Sequence, residues 1–168
     1  ANPDSIGANW KTYKNTKFGF SFRYPLILTT QESEEKHYSE FFNTLNLQNY
    51  PEEEASRHSD AISITVRFKS INNLSNLQKW LEDTSIGSRI DGTTGPRVRE
   101  FSKSKVSSID VLVYNDLEES IRKNVAFYRN GNVFIFSLNP TGETGSSYDD
   151  NKEAVNIFDQ ILSTFKFL

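Results

Sequence analysis

The stretch Arg122–Leu138, Arg-Lys-Asn-Val-Ala-Phe-Tyr-Arg-Asn-Gly-Asn-Val-Phe-Ile-Phe-Ser-Leu, constrains the fold of this chain more than any other. Two apolar runs meet at Asn130-Gly131, the dipeptide that best tolerates the two positive φ angles of a type I′ turn. A two-residue loop fixes the register: Arg129 opposes Asn132, Tyr128 opposes Val133, Phe127 opposes Phe134, Ala126 opposes Ile135 and Val125 opposes Phe136. Because successive pairs point to opposite sides of a sheet, Val125, Phe127, Phe134 and Phe136 share one face, and Ala126, Tyr128, Val133 and Ile135 share the other. Both faces are apolar, so the hairpin belongs in the middle of a sheet with a layer packed on each side.

Length and composition leave room for that layered core. The 168 residues suit one domain, expected over 10–168, and contain 13 Phe, which favours sheet packing. Cysteine is absent, which excludes disulfides, thiolate metal sites and cysteine nucleophiles. The net charge of -3 carries no nucleic-acid signature, and no run reaches the roughly 18 apolar residues of a membrane span. Methionine is also absent, so the chain is expected to be a trimmed or processed product. Its polar opening, residues 1–9, is expected to act as a tether.

Around the hairpin, Phe18, Phe20, Phe22 and Tyr24 alternate with Gly19, Ser21 and Arg23. This pattern predicts a half-buried strand ending at Pro25, preceded by a short strand and a turn at Asn15-Thr16. Ile62–Phe68 predicts a second alternating strand with a polar second face, and Ile109–Tyr114 a strand apolar on both sides that neighbours the hairpin. A helix with the stripe Leu74, Leu77, Trp80 and Leu81 is expected to be capped by Ser75, which also disfavours use of Asn73-Leu-Ser75 for glycosylation. The last helix carries Ala154, Val155, Ile157, Phe158, Ile161 and Leu162, with Asp150 as the expected cap, and a short strand closes the chain. Ser88–Ser104 reads as a basic loop or loose hairpin, and Pro140–Asp150 as a turn-rich connector.

Residues 26–60 read as irregular. Within them, the spacing of Tyr38, Phe41, Phe42 and Leu45 predicts a short helix over Glu34–Leu45. Seven Glu against Lys36 alone make residues 31–56 net -6, which leaves +3 for the rest of a chain whose total is -3.

Together, Lys11–Pro25, the Ile109 strand, the Asn130-Gly131 hairpin and the ending Phe158–Phe167 resemble PsbP-like domains. The resemblance spans most of residues 10–168, through packing motifs. It implies an α+β fold, a mainly antiparallel sheet covered by helices on both faces, shared by extrinsic photosystem subunits, a nuclear import factor and many exported or lipid-anchored prokaryotic proteins. These functions differ, so the fold alone selects none of them. The acidic segment is where the chain departs from a minimal version.

Catalytic signatures are missing from the sequence: there is no Gly-x-Ser-x-Gly elbow, phosphate loop, His-Glu-x-x-His or calcium loop. His37 and His58, with Glu34, Glu35 and Asp60, form a candidate metal set of imidazoles and carboxylates, set against the plainer reading of exposed loop histidines. The run Glu52, Glu53 and Glu54 is a candidate contact for a basic partner, or a solvated loop. Arg89, Arg97, Arg99, Lys103 and Lys105 form a basic stretch better explained by solubility. The expected function is that of a non-enzymatic, monomeric accessory or binding module outside the cytoplasm, acting on another protein or an envelope surface. No cofactor or nucleic acid is expected, and a lipid anchor would lie upstream. The alternatives are a small-ligand or metal-binding protein using the space between the acidic segment and the sheet, and, more remotely, a hydrolase.

Overall fold

The computed structural model describes residues 9–117, 120–142 and 145–168. The expected tether lies outside them, except for Asn9. Among the described residues the centre is a seven-stranded antiparallel sheet. Its strands are β3 (Thr29–His37), β4 (Glu40–Gln48), β5 (Ser63–Ser70), β8 (Val98–Val106), β9 (Ile109–Leu117), β10 (Ile121–Arg129) and β11 (Asn132–Leu138). They lie side by side in the order β3-β4-β5-β11-β10-β9-β8. The β10–β11 hairpin occupies the interior in the expected register, from Arg129 opposite Asn132 to Val125 opposite Phe136. Asn130 and Gly131 take φ of 53° and 76°, as the tight turn requires. β9 pairs with β10 and β5 with β11, so both neighbours of the hairpin are strands that the alternation predicted.

The first face of the sheet is a phenylalanine-rich core. Phe68, Val111, Val125, Phe127, Phe134 and Phe136 pack against β1 (Lys11–Asn15), β2 (Phe20–Tyr24) and the terminal β12 (Lys166–Phe167), which form a small sheet, and against α3 (Lys152–Ser163). Phe134, fully buried, has the rings of Phe20 and Phe127 each at 5.1 Å, Phe20 edge-on and Phe127 stacked. α3 buries Ala154, Ile157, Phe158, Ile161 and Leu162.

The second face is divided. At one end α2 (Leu77–Thr84), with Leu81 buried, closes over Phe42, Val98, Tyr114, Ala126, Val133 and Ile135. A small ribbon, β6 (Ile86–Ser88) and β7 (Thr94–Pro96), follows that helix. Toward the other end the same strands turn polar, and α2 does not extend over them. The first face is therefore covered by α3 together with the small sheet rather than by a layer of helices, and α2 covers only part of the second.

Residues 26–60 differ most from expectation. The region predicted as a helix over Glu34–Leu45 is the β3–β4 hairpin, turned at Tyr38-Ser39 with His37 opposite Glu40. Only the four-residue α1 (Glu52–Ala55) is helical there, and its three glutamates fill the first turn, where the helix dipole favours negative charge. β3 is a sheet edge. The charges of Glu32, Glu34, Glu35 and Lys36 along it oppose pairing with another chain. At the opposite edge, the segment expected as a loose basic hairpin is partly the nine-residue β8, bearing Arg99, Lys103 and Lys105 and broken by a register shift between Arg99 and Ser102. Both charged stretches of the sequence therefore include sheet edges.

Two helix starts lie one residue beyond the expected caps. Asn76, not Ser75, accepts the backbone N–H of Lys79, and Asn151, not Asp150, accepts that of Ala154. Asp150 instead closes a 3-10 turn, Tyr148–Asp150, by accepting the backbone N–H of Ser147 at 2.9 Å.

Candidate functional site

The polar half of the second face follows from strand alternation. In β5 the residues Ile64, Val66 and Phe68 enter the core, which turns Ser63, Thr65, Arg67 and Lys69 to the other side. In register beside them lie Asn46 and Thr44 of β4, Ser137 of β11, and Asn124 and Arg122 of β10. Asp116 of β9 sits opposite Arg122. Asn46, Ser63, Thr65, Arg67 and Arg122 of this surface, with α1 and the segment Pro140–Gly142 as walls, line a basin of about 950 Å³.

Two charges lie inside the protein here, Arg67 on the floor of the basin and Asp116 behind it. Arg67 is 8% exposed and Asp116 2%. Asp116 is well satisfied: Arg122 Nη1 donates to its Oδ2 at 2.9 Å, Tyr38 Oη to the same oxygen at 3.0 Å, and Asn124 Nδ2 to Oδ1 at 2.9 Å. A relay leads from there to Arg67. Ser137 Oγ donates to Asn124 Oδ1 at 2.6 Å, and Arg67 Nη1 donates to Ser137 Oγ at 3.3 Å. Among the described residues, that neutral hydroxyl is the hydrogen-bond partner of the Arg67 guanidinium and no carboxylate lies within ion-pair distance of it. Burial, then the charge of Arg122, lowers the Arg67 guanidinium from 12.5 to about 10, against the weaker pull of Asp116.

Six buried side-chain polar atoms lack a hydrogen-bond partner among the described residues, and four belong to residues lining this basin: Ser33 Oγ, Arg67 Nε, Arg122 Nε and Asn139 Oδ1. Buried polar groups are almost always paired, so such clustering marks a surface built for something other than its own stability.

The tip of the β3–β4 hairpin borders the same network. Tyr38 adopts φ of 54°, an uncommon conformation for an aromatic residue, and its hydroxyl reaches Asp116. Its ring lies 4.4 Å from that of His37 and 5.4 Å from the Arg97 guanidinium. Burial, then the charges of Arg67, Arg122 and Arg97, lowers His37 from 6.5 to about 2, which keeps the imidazole neutral.

The expected site residues are distributed as follows. His37 and His58 lie beyond opposite ends of the nine-residue β4, a strand of roughly 27 Å. Glu35 lines the basin on the side of His37, whereas Glu34 points to the other face. His58 stacks on Tyr50 at 3.8 Å, and the Tyr50 hydroxyl reaches both oxygens of Asp60 at 3.1 Å. The five residues do not converge, and among the described residues no group of three or more His, Asp or Glu stands where it could hold a metal ion. Glu52 and Glu53 line the basin, as do Pro140, Thr141 and Gly142 of the expected connector.

Arg67, Asp116, Arg122, Asn124, Ser137 and Asn139 were not singled out by sequence. A signal for them existed in the hairpin register: its own continuation pairs Asn124 with Ser137, on the face of Ala126 and Tyr128, where the apolar pattern breaks. Among the described residues no helix is long and apolar enough to cross a membrane.

Comparison of the sequence with protein-family models finds no match, and comparison with curated proteins finds none at a significant level. Comparison of the structure with solved structures does find matches. The chain is similar to the solution structure of cyanobacterial PsbP (CyanoP) from Synechocystis sp. PCC 6803, with a TM-score of 0.58 over 97% of this chain and 95% of that one, at 14% identity. At that identity the likeness is one of architecture: this chain has the PsbP-like fold.

Proposed function

We propose that this protein is a non-enzymatic accessory binding module that works outside the cytoplasm, with the polar basin as its binding face. The basin carries the reading. A sheet that buries phenylalanines on one side leaves half of its other side as a concave polar surface, floored by a buried arginine that has no carboxylate partner among the described residues. Stability alone disfavours such an arrangement, because burying an uncompensated cation costs several kcal/mol. Function is the ordinary reason to keep one.

The extracytoplasmic setting, secreted or lipid-anchored, is supported by the PsbP-like fold. The residues in the basin favour recognition over chemistry, since the buried carboxylate of Asp116 behind its floor is engaged in holding Arg122, Tyr38 and Asn124. A protein or envelope component is the proposed partner. The small-ligand reading gains support from a specific observation, that the space between the sheet and Glu52 and Glu53 is this basin. Metal binding by His37, His58, Glu34, Glu35 and Asp60 has no such support.

Cross-linking and capture from native envelopes tests the reading. Gln48 lines the basin, and its side chain makes no hydrogen bond among the described residues, so Gln48→Trp fills the basin without dismantling the network. Expected is a partner retained by the wild type and by Lys103→Ala, on the far sheet edge, but lost with Gln48→Trp. Equal capture by all three, or a cytoplasmic location on fractionation, would count decisively against the proposal.

A further inference from the structure

We infer that the basin floor is a receptor for a carboxylate, carried by a small zwitterion whose ammonium group faces the glutamate rim. The inference rests on the proposal that the basin is the binding face. Each arginine commits one Nη to the internal network, Arg67 to Ser137 and Arg122 to Asp116, and the Nε of each has no hydrogen-bond partner among the described residues. A planar carboxylate matches that donor geometry, and charge assistance makes it a stronger acceptor than a hydroxyl. The rim has the opposite sign: Glu35, Glu52 and Glu53 line the same space. A dianion would meet repulsion at the rim and a simple cation at the floor. A molecule with one charge of each sign, such as an amino acid or the end of a short peptide, satisfies both.

The test follows the Nε–Hε resonances of Arg67 and Arg122 by NMR in the intact chain, at ionic strength held constant with sodium chloride. The probes are β-alanine, acetate and methylammonium for free ligands, and triglycine with a free or an amidated carboxyl terminus for peptide ends. Expected are saturable shifts of both resonances with β-alanine or free triglycine, whichever source is preferred, and binding about tenfold weaker for acetate. Methylammonium and the amidated peptide should leave them unmoved. Arg67→Lys, which keeps charge but not the fork, should weaken binding at least several-fold while retaining a folded spectrum. Linear shifts no larger than those with chloride, or undiminished binding by Arg67→Lys, would overturn the inference. If Gln48→Trp abolishes capture of the native partner while no probe binds, the basin remains the binding face and the zwitterion assignment falls.

Discussion

Replacing Arg67 with Met separates a cation kept for a ligand from one that stabilises the fold. The guanidinium falls from 12.5 to about 10, and at about 1.4 kcal/mol per unit this is a penalty on the order of 3 kcal/mol for holding the charge at neutral pH. Met occupies much of the same space without a charge and remains compatible with a buried site. It forfeits the 3.3 Å hydrogen bond to Ser137, worth about 1 kcal/mol, but Ser137 still donates to Asn124 and is not stranded. Asp116 keeps Arg122, Tyr38 and Asn124. The net expectation for Arg67→Met is stabilisation by about 2 kcal/mol, which for a chain of this size raises Tm by roughly 4–8 °C. Urea unfolding at pH 7, followed by circular dichroism, measures it, with an unchanged denaturant slope showing that the folded and unfolded states remain comparable. Destabilisation by more than about 1 kcal/mol would show that the protein already compensates this charge, and the basis for reading the basin as a binding face would be lost.

Other expectations follow from the same structure. His37 stays neutral in the folded state down to about pH 2, whereas in the unfolded chain it protonates below its ordinary 6.5. The unfolded state thus binds more protons in that window, so the stability tied to this residue is intact above pH 6.5 and is lost as pH falls, by about 2 kcal/mol at pH 4.5 after allowing for partial exposure. His37→Phe should flatten the acid limb of stability by that amount, and parallel profiles would refute the assignment. Gly131→Ala forces a Cβ into φ of 76° and should cost about 1 kcal/mol, while Asn130→Gly should be close to neutral. Asn151→Ala should cost about 1 kcal/mol through loss of the α3 cap, and more than Asp150→Ala in the same thermal-denaturation series. Phe134→Ala should cost about 3–5 kcal/mol, because the ring is fully buried among other rings.

The central hairpin was legible residue by residue because Asn130-Gly131 fixes its register locally. The acidic hairpin was not legible, for the converse reason. β3 is an edge strand charged on both sides and has no period-two signal. In β4 and its turn, Tyr38, Phe41, Phe42 and Leu45 fall at spacings of three and four by coincidence, since they belong to different faces of a strand and its turn. The cap errors have a common cause: Ser75 and Asn76, like Asp150 and Asn151, are adjacent residues that can both cap, and packing of the helix decides between them. The binding surface stayed hidden because a polar strand face reads as solvent-facing. Arg67 in Ile62–Phe68 looked like an ordinary outward residue until the pairing of β5 with β4 and β11 placed it on a partly covered floor. The break from Ala126 to Asn124, matched by that from Ile135 to Ser137, is the trace such a floor leaves in sequence.

Site-specific photo-cross-linking in the native envelope probes the role of the basin most directly. A benzophenone side chain placed at Gln48, on the basin, and in a second variant at Lys103, on the outer edge, reports which surface meets the partner, with adducts read by intact mass. Expected is a discrete adduct from position 48 and none from position 103. An adduct from position 103 alone, or none from either, would contradict the assignment of the basin as the binding face.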